Sequence, residues 1–103
     1  MVKKFDKAIR DKVPEIICAK GQNCKVVTLS DADFLVEIEK KLQEEVEEYK
    51  QSKSPEELAD IIEVIYRIAE LRGIKKEELE KLRKEKEVNR GAFSKNLFLI
   101  ETG

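Results

Sequence analysis

Apolar side chains recur every three or four positions at Phe34, Leu35, Ile38, Leu42, Val46 and Tyr49. That spacing predicts a long helix over 31–51, and Ser30 with Asp33 three positions later has the form of its start. A second helix is predicted over 55–72, where Ser54 can cap, Pro55 suits the first helical position and Gly73 follows the end. Strong helix formers fill 75–90, a third helix that stops at Gly91. Near the start, Ile9, Val13, Ile16 and Ile17 place a short helix over 6–20, interrupted early by Pro14 and stopped at Gly21. Two apolar runs of strand length, "KVVTL" at 25–29 and "NLFLIE" at 96–101, are expected to pair. The fold class is therefore all-α: an antiparallel helical hairpin that forms a four-helix bundle with a second subunit, plus a small two-stranded β element. Residues 1–103 make one domain without repeats or linkers.

Against this pattern, acids stand where apolar residues are due. Projected at about 100° per residue, 31–51 carries its apolar set in one stripe; Glu44 and Glu47 point away, Glu45 lies on the border and Glu48 one turn beside it. In 55–72 the apolar arc is wider, about 240°, with Glu57 inside it and Asp60 at its edge. Closing the hairpin near residues 52 and 53 sets Glu48 and Glu57 equally far from the turn, and Glu45 and Asp60 likewise. Each helix then presents its two acids at i and i+3, on one face. Four such carboxylates at a partly dry interface would repel one another, and a divalent cation is the obvious counter-charge. All-oxygen ligands suit Mg²⁺ or Mn²⁺, and Mg²⁺ held by carboxylates usually keeps waters and accepts phosphate oxygens. The plain alternative makes Glu57 the far half of a capping box with Ser54, Asp60 a partner of the helix dipole, and Glu45 and Glu48 members of a solvated face.

The third predicted helix shows the converse. Its inner stripe starts with Leu79 and Leu82 and continues on the same face to Lys86, Asn89 and Arg90. Cations near a helix C-terminus are favourable on dipole grounds, and long stems can lie over a core. Aimed at the carboxylates, Lys86 and Arg90 would instead neutralise a polyphosphate, with Asn89 between them.

Composition narrows the field. Twenty-one basic and 22 acidic residues leave a net charge of −1, so no global field favours a nucleic-acid polymer or a membrane surface. No apolar run approaches the roughly 20 residues that span a bilayer, and "MVKKFDKAIRDK" has no signal-peptide core, which leads to the expectation of a cytoplasmic protein. Cys18 and Cys24, in a chain with no His, match neither a zinc site nor a redox pair and are read as ordinary thiols.

Together, "EEVEE" at 44–48 and "EELAD" at 56–60 resemble the paired acidic motif of the all-α nucleoside triphosphate pyrophosphatases, the MazG-like and phosphoribosyl-ATP pyrophosphohydrolase-like superfamily. "KEVNRGAF" at 86–93 resembles that group's basic segment, and "KAIRDKVPEII" at 7–17 looks like the N-terminal signature of its small house-cleaning members. The resemblance covers most of the chain. It implies Glu45, Glu48, Glu57 and Asp60 as Mg²⁺ ligands, Lys86 and Arg90 on phosphates, and hydrolysis of a nucleoside triphosphate to the monophosphate and pyrophosphate. Only eight residues separate Glu48 from Glu57, so the hairpin loop has little room for contacts that select a base.

The expected activity is thus Mg²⁺-dependent cleavage between α- and β-phosphates, with Glu45 or Glu48 taking a proton from water. Phosphoribosyl-ATP as substrate is the close alternative; a helical oligomerisation module without metal is the distant one. The wide arc of 55–72 leaves Ile61, Val64, Ile65 and Ile68 more apolar surface than one hairpin partner covers, which predicts a homodimer or a dimer of dimers.

Overall fold

The computed structural model describes residues 3–103, which hold four helices and no strand. These are α1 (Val13–Ala19), α2 (Asp31–Ser52), α3 (Pro55–Leu71) and α4 (Lys76–Arg90). Local chemistry sets most of the boundaries. Ser30 Oγ accepts a hydrogen bond from the Asp33 amide at 3.2 Å and opens α2. Lys53 closes it in the left-handed region (φ 57°), its amide donating to the Tyr49 carbonyl at 2.8 Å. The next residue, Ser54, caps α3 through Glu56 N, and Pro55 enters at the first turn, where a missing N–H costs nothing. Gly73, at φ 82°, ends the turn after α3.

So short a connection forces α2 and α3 antiparallel, and they pack as a hairpin. Ile38 of α2 and Val64 of α3 are buried at its centre, flanked by Phe34, Leu35, Leu42, Ile68 and Leu71. The third buried member is Ala8, brought in by the irregular segment that precedes α1. At the open end, Arg72 donates to Glu39 at 2.9 Å and Arg67 stands over the Phe34 ring.

Among the described helices α4 touches α3 alone, close to their turn: the Tyr66 hydroxyl donates to Glu80 at 3.4 Å, and the Lys76 ammonium lies 4.5 Å from the Tyr66 ring centre. Beyond that point its side chains are exposed, Val88 at 84%. The molecule is therefore long, 59 × 32 × 24 Å with a radius of gyration of 17.9 Å, where a compact chain of this length has about 13 Å.

Two expectations fail here. The predicted pairing of 25–29 with 96–101 does not form: both are irregular, with Val27 74% and Phe98 88% exposed. A two-stranded ladder alone is marginal in water, and neither run finds an apolar surface to pack on. The N-terminal helix is also shorter than 6–20, because Pro14 lies in its first turn and starts it rather than interrupting it.

Candidate metal centre

Two of the four predicted acids come from the last turns of α2 and two from the first turns of α3, and the hairpin brings them together. One carboxylate oxygen each from Glu45, Glu57 and Asp60 lies within 4.8 Å of the others, and a second group of this kind joins Glu44, Glu45 and Glu48. Glu45 belongs to both. It is also the one buried charged residue among those described, 4% exposed, and its Oε2 has no hydrogen-bond partner. Leaving such an oxygen unsatisfied costs on the order of 1–3 kcal/mol, so a helical pair does not retain it for stability.

Glu57 behaves alike. Its Oε2 is buried without a partner, and its carboxyl is pushed up to about 7 from 4.5. Desolvation is the main cause; next come the proton it can share with Glu45 and Glu48, and then their negative charge. The capping-box alternative for Glu57 is not met, because the Ser54 amide donates to Ser52 Oγ at 3.2 Å and leaves the Glu57 side chain nothing to cap. Nor is Glu45 on a solvated face. Glu48 is exposed at the groove's edge, and Asp60 is half-buried.

Cations reach the rim from places the periodicity did not indicate. Lys41, one turn before Glu45, lies 3.3 Å from its Oε1 and 3.6 Å from Glu44. Lys7 lies 3.4 Å from Glu44, and Arg10 donates to Asp60 at 2.6 Å. Glu44, expected to point away, is therefore part of the acidic group. An i, i+4 scan from Glu45 would have found Lys41; Lys7 and Arg10 sit in an irregular segment whose path has no periodic signal. These contacts go to Glu44 Oε1, Glu45 Oε1 and Asp60 Oδ1, and Glu45 Oε2 and Glu57 Oε2 stay without a partner among the described residues. Two orphaned oxygens on facing helices, with Asp60 beside them, form a hard all-oxygen donor set that fits Mg²⁺ or Mn²⁺.

Lys86, Asn89 and Arg90 are exposed on α4, and no ion pair among the described residues joins them to these acids. No described helix is long and apolar enough to cross a membrane. Cys18 and Cys24 are free and exposed. Comparison of the chain with protein-family models, with curated proteins and with solved structures finds no match.

Proposed function

We propose that this chain is a divalent-cation-dependent nucleotide pyrophosphohydrolase, converting a nucleoside triphosphate or related nucleotide to the monophosphate and pyrophosphate, in a house-cleaning role toward non-canonical nucleotides. The observation that carries the reading is the buried, unpartnered Oε2 of Glu45, on a carboxylate that groups with Glu57 and Asp60 across the hairpin. Glu45, Glu57 and Asp60, with Glu48 at the edge, would hold Mg²⁺ or Mn²⁺. A bound Mg²⁺ supplies a Lewis acid for the phosphate oxygens and lowers the pKa of water. Of the two acids proposed as base, Glu48 is open to solvent and has room to accept a proton from an entering water, whereas Glu45 is enclosed. Calorimetric Mn²⁺ titration of the full chain, followed by pyrophosphate release from a panel of normal, deoxy and damaged nucleotides, tests this; absence of Mn²⁺ binding refutes it. The panel includes phosphoribosyl-ATP, the alternative substrate.

Lys86, Asn89 and Arg90 complete the reading as phosphate contacts. Arg90→Lys keeps the charge and loses the planar fork, so turnover should fall about tenfold. Kinetics identical to wild type would leave Arg90 as solvated surface.

Assembly is the second part of the proposal. Leu58, Ile62 and Ile65 form an exposed stripe on α3, beside half-buried Ile61 and Ile68. The accessible surface, 9544 Å², exceeds by more than half the roughly 6000 Å² of a compact chain of this mass. That excess is larger than the roughly 800 Å² each partner buries in a standard interface. A homodimer, or a dimer of dimers, in which two hairpins make a four-helix bundle would cover the stripe. Ile65→Glu should halve the mass measured by light scattering, and a wild-type monomer at micromolar concentration would refute the assembly. The same stripe favours the non-enzymatic reading, an oligomerisation module, which predicts assembly without Mn²⁺ binding.

A further inference from the structure

The cationic side of the groove is supplied by the N-terminal segment. Three near-consecutive residues fix that segment in place: Lys7 lies 3.4 Å from Glu44, Ala8 is buried against Ile38 and Val64, and Arg10 Nη2 donates to Asp60 Oδ1 at 2.6 Å. The Arg10 side chain nonetheless stays 56% exposed. A guanidinium has five N–H donors in a planar fork, and Asp60 engages one of its terminal nitrogens. That exposure leaves donors open to solvent beside Asp60, whose carboxylate groups with those of Glu45 and Glu57.

We propose that Arg10 is a phosphate-binding arm of this site, steadied by Asp60 and offering its free N–H groups to a phosphate oxygen of a nucleotide held at the carboxylate group. The inference rests on the metal-dependent reading of that group, for which the buried, unpartnered Oε2 of Glu45 is the independent sign of a missing ligand. Two features argue against a mere surface ion pair. An exposed pair contributes little stability, and Ala8 already anchors the segment two residues earlier. A fork fixed at one edge and open at the other is also the geometry that takes a phosphate oxygen pair, at little cost in side-chain ordering.

The test uses the full chain with two probes, Mn²⁺ alone and Mn²⁺ with inorganic tripolyphosphate, titrated calorimetrically into wild type, Arg10→Ala and Arg10→Lys. Arg10→Ala should bind Mn²⁺ no more weakly than wild type and tripolyphosphate about 10- to 100-fold more weakly, the loss expected for charge-assisted hydrogen bonds. Arg10→Lys, which retains the charge at Asp60, should recover only part of that loss. Equal tripolyphosphate affinity in Arg10→Ala, with Mn²⁺ binding retained, overturns the arm and leaves the metal site standing. Full recovery by Arg10→Lys, or joint loss of Mn²⁺ binding and helical circular dichroism in Arg10→Ala, makes Arg10 an anchor and also overturns it. A wild type that binds no Mn²⁺ overturns the metal reading and the arm with it.

Discussion

Glu45→Gln should abolish Mn²⁺ binding and pyrophosphate release while raising the thermal midpoint of the metal-free protein. Glu45 is shared by both acidic groups, so on the proposed reading its loss would remove a ligand, and the fall in affinity should exceed the roughly 10- to 100-fold attributable to outer partners of a metal site. The stability gain has a separate cause. In the wild type, Glu45 Oε2 and Glu57 Oε2 are both buried without a partner, on carboxylates that belong to one acidic group. Above pH 7, where Glu57 is ionised, the amide of Gln offers it an N–H donor in place of a like charge. Lys41 keeps Glu44 as a partner at 3.6 Å and is not stranded. A net gain of about 1 kcal/mol corresponds to a rise on the order of 4 °C. Calorimetric melting with and without Mn²⁺ measures both effects. A variant that melts lower than wild type and still hydrolyses nucleotide would show that Glu45 is a structural residue.

The pH response should be as large. Glu57 titrates at about 7 in the folded chain against 4.5 ordinarily, so the folded state holds its proton more tightly than the unfolded state does. Its contribution to stability is complete below pH 4.5, declines as pH rises and is gone once pH passes 7. The metal-free protein should therefore melt progressively lower between pH 4.5 and 7 and level off above. Mn²⁺ reverses the slope, because it needs the ionised carboxylate: affinity should weaken about tenfold for each pH unit below 7. At pH 8, Mn²⁺ at a hundredfold excess over Kd should add about 2.7 kcal/mol. Glu57→Gln should remove the acid-side slope. A wild type whose melting point is flat from pH 4.5 to 7 would contradict the shared-proton picture.

The helical frame was readable because its boundaries are written in single residues: Ser30, Ser54, Pro55, Gly73 and Gly91 each act on their own neighbours, and the three long helices fall within a residue of expectation. The meeting of Glu45, Glu57 and Asp60 was readable too, since a short turn fixes the register of two periodic helices. Failures cluster where outcome depends on distant surface. "KVVTL" and "NLFLIE" have the composition of strands, yet strand formation needs a partner ladder and something to cover, and residues 25–29 and 96–101 have neither. Pro14 was ambiguous because proline marks both helix starts and helix breaks. Lys7 and Arg10 were missed for a related reason: their position is set by Ala8 fitting between two helices, a packing event with no repeat in the sequence.

The route by which the groove is assembled also sets the order in which it comes apart. Glu45 and Asp60 are fifteen residues apart and joined through a tight turn, whereas Arg10 and Asp60 are fifty apart. Closing the longer loop costs about 1 kcal/mol more in chain entropy, and a single small residue, Ala8, seats that segment in the core. Amides of residues 7–10 should then exchange with deuterium at lower protection than those of α2 and α3. Opening of that kind would part Lys7 from Glu44 and Arg10 from Asp60 without unfolding the hairpin that builds the acidic groups, so the cationic rim can detach while the carboxylates stay in place.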